Sequence, residues 1–108
     1  MARLTGMLVL LLLAKTLPLH AQEAGDPQAG LRLAREVCAA CHAVLKGEMN
    51  SPRREAPPFE RIAQVPGMTT TALTVALRTS HETMPNIMLE PKELRDVTAY
   101  ITSLRNSP

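Results

Sequence analysis

The two cysteines of this chain, Cys38 and Cys41, stand three residues apart and are followed directly by His42. Thiols at this spacing lie about one helical turn from each other in a helical segment, so both can bond to one flat group. A porphyrin with two vinyl groups is such a partner, and the neutral imidazole nitrogen of a histidine is a good ligand for its iron. The motif therefore predicts one covalently attached haem, with thioethers to Cys38 and Cys41 and with His42 as the proximal axial iron ligand.

Three other uses of the two cysteines explain less of the motif. A thioredoxin-like redox pair accompanies a βαβ pattern, which this sequence does not show, and it has no need of His42. A structural zinc site needs four ligands, and His20 and His81 supply no second cluster of cysteine and histidine. A disulfide between the two cysteines would close so short a loop that it would stabilise the fold little, and it also leaves His42 unexplained.

Haem iron has a second face, and the candidates for its ligand there are Met84, Met88, Met68 and His81. Met84 precedes Pro85 in an irregular stretch between two predicted helices, where helix packing does not require a methionine. A thioether sulfur would give the His/Met pair that raises the reduction potential relative to two imidazoles. We expect Met68 to pack at a helix start and His81 to be a solvated loop residue. From the residues alone Met84 is the first choice and Met88 the second, and the alternative that Met84 only fills a gap beside the haem stays open.

The start of the chain indicates an exported protein. A basic residue is followed by a mostly apolar run from Leu4 to Ala14, and Ala21 is small, as a signal peptidase prefers. The apolar run is about half of the ~20 residues that span a membrane, and Lys15 follows it. We therefore predict a signal peptide over residues 1–21 that is removed, and one domain over residues 22–108 that resides in the periplasm.

The charge balance excludes several classes of partner. The chain carries 12 Lys and Arg against 10 Asp and Glu, for a net charge of +2. Arg3 and Lys15 both belong to the predicted leader, so ten basic residues remain against ten acidic ones and the mature domain has no net charge. It lacks the basic field that attracts nucleic acid or an anionic membrane surface. We expect no nucleic-acid partner, no stable membrane insertion, and docking through local patches and apolar contact.

Apolar residues at helical spacing predict an all-α domain without convincing strand pairs. Asp26 is a helix cap before Pro27, and the first helix is expected to run from Pro27 to about Cys41. The later predicted elements are a surface loop over residues 43–58, a short helical turn over 59–64, a helix over 69–78 and a last helix that begins at Pro91 after the cap Glu90.

The predicted mature domain is poorly equipped to form a core by itself. Phe59 and Tyr100 are the only aromatic residues of the chain, and a domain of this size buries a modest share of its surface. A large apolar ring bonded into the interior would supply the missing core, so we expect folding to depend on the haem. The buried stripe predicted for the last helix consists of Leu94, Val97, Ile101 and Leu104, with Tyr100 beside it.

Together these features resemble the small class I cytochromes c of bacteria, most closely the short monohaem forms of rhizobia and related proteobacteria. The resemblance implies three main helices around one haem, with the first and last helices crossing near Gly30 and Tyr100, where a missing side chain lets helices approach closely. It also implies Met84 as the distal axial ligand and a hydrogen bond from the ring N–H of His42 to the carbonyl of Pro57. The matching segments are Gly30, residues 38–42, residues 56–59, residues 83–86 and residues 96–101.

The resemblance further implies a function. We expect a periplasmic one-electron carrier, not an enzyme, that works as a monomer and meets a dehydrogenase, oxidase or reductase through a small transient interface. Two alternatives stay open: an electron-transfer subunit of a dehydrogenase, and a haem enzyme or gas sensor with an open distal site. Larger members of the family use aromatic residues to hold the haem propionates; here the candidates for that role are Arg53, Arg54 and Arg61.

Overall fold

The computed structural model describes residues 24–81 and 83–106, and this part of the chain contains helices and loops but no β-strand. The predicted all-α fold is confirmed for these residues, whereas the predicted leader over residues 1–21 lies outside them. No helix in the described ranges is long and apolar enough to cross a bilayer. The elements in chain order are α1 (Pro27–Leu33), a π-helical turn (Ala34–Cys38), α2 (Phe59–Ala63), α3 (Thr70–Arg78), α4 (Pro91–Ser103) and a 3₁₀ turn (Leu104–Asn106).

The longer helices begin where the sequence provides caps. The side chain of Asp26 accepts a hydrogen bond from a backbone N–H of the first turn at 2.9 Å, and Pro27 follows as the first helical residue. Thr69 accepts a backbone N–H at 3.1 Å in the same way at the start of α3. At α4 the N–H of Glu90 donates to the side chain of Glu93 at 2.9 Å, which is the reciprocal bond of a capping box. Local sequence therefore determines where these helices begin.

The first helix differs from the predicted one. Regular α-helix ends at Leu33 rather than continuing to Cys41, and the next turn is wide, with the N–H of Ala39 bonded to the carbonyl of Ala34 at 2.9 Å. An extra residue in a turn rotates the side chains that follow it, and Val37 within this turn is 36% exposed. Apolar spacing over so short a segment does not distinguish a wide turn from a regular one.

α4 is the central helix of the described fold, because α1, α2 and α3 all pack against it. The prediction for the loop over 43–58 was wrong at its start: Ala43 and Val44 are buried, and Val44 belongs to the core. The stripe predicted for the last helix is confirmed, since its four members are nearly inaccessible to solvent: Leu94, Val97, Ile101 and Leu104. Tyr100, expected beside the stripe, is buried as well.

α1 crosses α4 at Gly30, as the resemblance implied. A Cβ atom added at Gly30 would lie 2.8 Å from the Cβ of Tyr100 and closer still to the backbone carbonyl of Asp96. Gly25, just before α1, meets the carbonyl of Arg95 in the same manner. Two backbones can approach this closely only where one of them carries no side chain.

A buried carboxylate joins the start of α1 to α4. Asp96 is 6% exposed; it accepts the side-chain amine of Lys92 at 2.6 Å and the backbone N–H of Asp26 at 2.8 Å. The hydrogen bond from Lys92, followed by that from Asp26, holds the pKa of Asp96 below its usual value despite the opposing effect of burial. The link is therefore fully present above the ordinary carboxyl pKa and is lost as the pH falls through the lowered one.

Gly30→Ala is expected to destabilise the protein with its haem by about 3 kcal/mol, because the added methyl meets backbone that can yield only by separating two helices. Gly47→Ala is the control. Gly47 has a φ of +81° and nothing within 4 Å of an added Cβ, so only a backbone cost of about 1–2 kcal/mol applies there. Guanidinium unfolding of both variants measures the difference, and equal losses would contradict the close approach of α1 to α4.

Asp96→Asn is expected to lower the free energy of unfolding at pH 7 by roughly 1–3 kcal/mol, because a neutral amide accepts these two hydrogen bonds more weakly. The deficit should be constant down to about pH 4 and shrink below it, since the wild-type carboxyl is then protonated as well. Unfolding curves at several pH values measure it, with the exposed Glu55→Gln as control. A deficit that persists unchanged into acid would show that the charge of Asp96 does not matter.

Candidate functional site

The thiols and the imidazole of the motif lie on one folded unit. Cys38 ends the π-helical turn, and Cys41 lies in the turn that follows. The N–H groups of Cys41 and His42 both donate to the carbonyl of Cys38, at 3.1 and 2.9 Å. The two cysteines are half-buried and free, so the disulfide considered from the sequence is not formed. These backbone hydrogen bonds hold the two cysteines and the histidine together in one turn.

The surroundings of the thiols disfavour the zinc alternative. Burial, with a smaller effect from the neighbouring Cys41, raises the pKa of the Cys38 thiol to about 11. Over residues 24–81 and 83–106, no three His, Cys, Asp or Glu side chains come close enough together to hold a metal ion. The two thiols can instead add across the vinyl double bonds of one porphyrin to form thioethers.

The imidazole of His42 is held by one hydrogen bond. Its Nδ1 lies 2.7 Å from the backbone carbonyl of Pro57, as the resemblance implied. Because a carbonyl can only accept, Nδ1 carries the proton, and the neutral ring keeps a lone pair on Nε2. A ring nitrogen oriented in this way is the form that binds a metal. The donor set of two free thiols and one oriented imidazole therefore fits a covalently attached haem.

The loop after His42 folds back to hold the motif from the other side. The N–H of Arg53 donates to the carbonyl of Cys41 at 3.1 Å, and the hydroxyl of Ser51 accepts the N–H of Ala43 at 2.9 Å. The carbonyl of Ala43 accepts the N–H of Phe59 at 2.9 Å, where α2 begins. The sequence predicted a surface loop here, and these bonds give the loop one definite path that brings Pro57 to His42.

Aromatic rings and a buried hydroxyl connect this site to α4. The ring of Phe59 lies 5.3 Å from that of His42 and 6.5 Å from that of Tyr100, centroid to centroid. The Tyr100 hydroxyl donates to the carbonyl of Val44 at 2.6 Å, in the interior. Sequence reasoning placed Tyr100 only beside the buried stripe and did not find this bond, because its acceptor is a backbone atom 56 residues away.

The four candidates for the distal ligand differ in their surroundings. Met68 packs against the core, as expected. His81 is an exposed loop residue, also as expected, and its Nδ1 lies 2.8 Å from the carbonyl of Thr79. Met88 is 88% exposed. Met84 is half-buried in the loop between α3 and α4.

Two open cavities border the loop over residues 45–58. One of about 550 Å³ is lined by His42, Val44 and Met49, and the other, of about 520 Å³, by Pro57 and the three arginines Arg53, Arg54 and Arg61. Neither is lined by the two thiols or by Met84. The predicted residues are thus brought together in part: Cys38, Cys41 and His42 form one unit, and Met84 lies on a separate loop.

Comparisons with known proteins agree with this geometry. Residues 25–101 match the family described as cytochrome c oxidase, cbb3-type, subunit III. Over an alignment of 82 residues, the chain is 35% identical to "cytochrome c-552" of Bradyrhizobium diazoefficiens. The alignment covers 76% of this chain and 78% of that protein. No solved structure matches the chain.

Tyr100→Phe is expected to lower the free energy of unfolding by about 1–3 kcal/mol, because it leaves the buried carbonyl of Val44 without a donor. The control is Ser103→Ala, which removes an exposed hydroxyl from the same helix and should cost less than about 0.5 kcal/mol. Thermal or denaturant unfolding of the two variants measures the difference. Equal effects would mean that the bond to Val44 contributes nothing to stability.

Proposed function

Because this chain belongs to the cytochrome c family whose model is described as cytochrome c oxidase, cbb3-type, subunit III, we propose that it is a periplasmic one-electron carrier. The family carries covalently bound haem c, and electron transfer is the function that the family supports. The predicted leader over residues 1–21 supports the periplasm as its location. The observation that carries the proposal is the oriented imidazole of His42, 2.7 Å from the Pro57 carbonyl and next to two free thiols.

The chain's own residues have separate tasks in holding the cofactor. The thiols of Cys38 and Cys41 would form the thioethers, and Nε2 of His42 would bind the iron on its proximal side. When bound, the haem supplies one-electron oxidation and reduction at its iron. The carbonyl of Pro57 keeps the imidazole in the required tautomer and makes its free nitrogen a stronger donor.

On the other face we propose the sulfur of Met84 as the distal axial ligand. Its half-buried position supports this choice over Met88, which is 88% exposed, and over His81, which is exposed and hydrogen-bonded to the backbone. With both axial positions taken by side chains, no open coordination site is left for a substrate. A His/Met pair also gives a higher potential than two histidines, which suits a carrier between a donor and an oxidising partner.

A subunit of a larger enzyme is the second candidate, because the matching family is named after an oxidase subunit. The relative from Bradyrhizobium favours the free carrier. Its name is that of a cytochrome rather than of an enzyme subunit.

Carbon monoxide tests the assignment of Met84. Reduced wild-type holoprotein at neutral pH should show no spectral change with carbon monoxide, because both axial positions are filled. Met84→Leu should bind it stoichiometrically and lose the sulfur-to-iron charge-transfer band of the oxidised protein. Met88→Leu is the matched control and should behave as the wild type does.

The contrary results are equally specific. Rapid binding of carbon monoxide by the wild type would contradict the carrier function and indicate an enzyme or sensor with an open distal site. Loss of the charge-transfer band in Met88→Leu, and its survival in Met84→Leu, would assign the ligand to Met88. A pyridine haemochrome assay on Cys38→Ser and Cys41→Ser checks the thioethers independently, since each variant retains one bond to the ring.

A further inference from the structure

A second imidazole of the chain is held in the same way as that of His42. Nδ1 of His81 lies 2.8 Å from the carbonyl of Thr79, just as Nδ1 of His42 lies 2.7 Å from the carbonyl of Pro57. Because a carbonyl only accepts, Nδ1 carries a proton in each ring, and the neutral ring keeps its lone pair on Nε2. The side chain of His81 is exposed. It therefore offers a metal-binding nitrogen that the proposed function does not use.

The loop that carries His81 is held by few backbone hydrogen bonds. It comprises residues 79–90, between α3 and α4, and it includes Met84. No backbone group of residues 80–81 or 83–89 is hydrogen-bonded to another backbone group of the described chain. A segment with so few of these bonds opens locally at low free energy. His81 precedes Met84 by three residues, a separation of about 10 Å at most, so a shift of this loop over that distance exchanges the two side chains.

The loop contains one nitrogen ligand and two thioethers. His81 is its only imidazole, amine or thiol, and the amine of Lys92, just beyond the loop, is bound to Asp96 at 2.6 Å. A His/Met pair has a higher potential than two imidazoles, which means that a thioether favours ferrous iron and an imidazole favours ferric iron. Ferric iron that has lost the sulfur of Met84 therefore prefers His81 to the second sulfur, that of Met88.

We propose that His81 is a reserve ligand: when the bond from Met84 to ferric iron is lost, Nε2 of His81 takes the distal axial position. The proposal rests on the proposed function, since it assumes that His42 and Met84 are the normal ligands. One Fe–S bond is exchanged for one Fe–N bond to a neutral imidazole, and no electron is transferred. With two imidazoles the iron stays closed to small molecules and its potential is lower. The protein would then stop working as a carrier without acquiring an open distal site.

The spin state of oxidised Met84→Leu holoprotein at neutral pH tests the proposal. His81 should keep the iron low-spin, with the absorption and electron paramagnetic resonance spectra of a bis-imidazole haem and without the sulfur-to-iron charge-transfer band. Met84→Leu/His81→Gln should be high-spin, because its distal position is open to water. Since only a vacant position binds, the double variant should also bind added imidazole at least about tenfold more tightly than Met84→Leu. Carbon monoxide should still bind reduced Met84→Leu, because ferrous iron holds an imidazole less firmly than ferric iron does.

Matched variants isolate the role of His81. His81→Gln alone should have the wild-type spectrum, because Met84 remains bound. Met84→Leu/Met88→Leu should be low-spin, as Met84→Leu is. The spectra should be independent of protein concentration, since the nitrogen comes from the same chain. Met84→Ala repeats the measurement with a smaller side chain if leucine prevents folding, and a pyridine haemochrome assay checks that each variant carries its haem.

The outcomes distinguish this proposal from the proposed function. A high-spin Met84→Leu variant would overturn the reserve role of His81, and so would a low-spin Met84→Leu/His81→Gln variant, because its ligand would then come from elsewhere. Both results leave the wild-type carrier intact. A low-spin state that appears only at high protein concentration would also overturn it, since the nitrogen would come from a second copy. Binding of carbon monoxide by the reduced wild type would overturn the carrier function instead, and the spin states would still show whether His81 reaches the iron.

Discussion

The contact of α1 with α4 at Gly30 is the constraint on which the rest of the structure depends. α1 leads without a break into the turn that ends at Cys38, while α4 carries Tyr100, whose hydroxyl holds the carbonyl of Val44. Val44 follows His42 by two residues. The crossing therefore positions two parts of the site. Through α1 it places the thiols, and through α4 it places the loop after the imidazole. A side chain at Gly30 would disturb both at once, because the two helices have no other way to accommodate it.

The wide turn after α1 changes the orientation of the cysteine side chains relative to a regular α-helix. Ala34 is fully buried at its start, where a small side chain lets the turn lie against the core. The extra residue turns Val37 outward and leaves the Cys38 thiol half-buried at the end of the turn. π-helical turns are rare in proteins and occur frequently at functional sites. Here the turn leads directly into the cysteine motif, so the departure from regular α-helix lies where the two sulfurs are positioned.

Sequence alone predicted those parts of the fold whose signals are local. Residue type identifies Asp26 and Glu90 as helix caps, and apolar spacing identifies the buried stripe on α4. The cysteine motif is identified by its residue types and their spacing. The contact between His42 and Pro57 came from the family resemblance and is confirmed. The wide turn, the bond from Tyr100 to Val44 and the link from Asp96 to Asp26 were not predicted. Each depends on backbone atoms, which are the same for every residue type, so no pattern of side chains reveals which of them will meet.

The loop after His42 and the segment that carries Met84 differ in how they are held. In the loop, side chains help to fix the backbone: Glu60, for instance, accepts the N–H of Gly47 at 2.5 Å. The segment between Gln64 and Leu89 has two charged residues, Arg78 and Glu82, and the hydroxyls of Thr74 and Thr79 are bonded to carbonyls one turn earlier. Partner contacts of the transient redox class are small and gain modestly from burial. Such contacts dissociate fast, and turnover of a carrier depends on fast dissociation as much as on association.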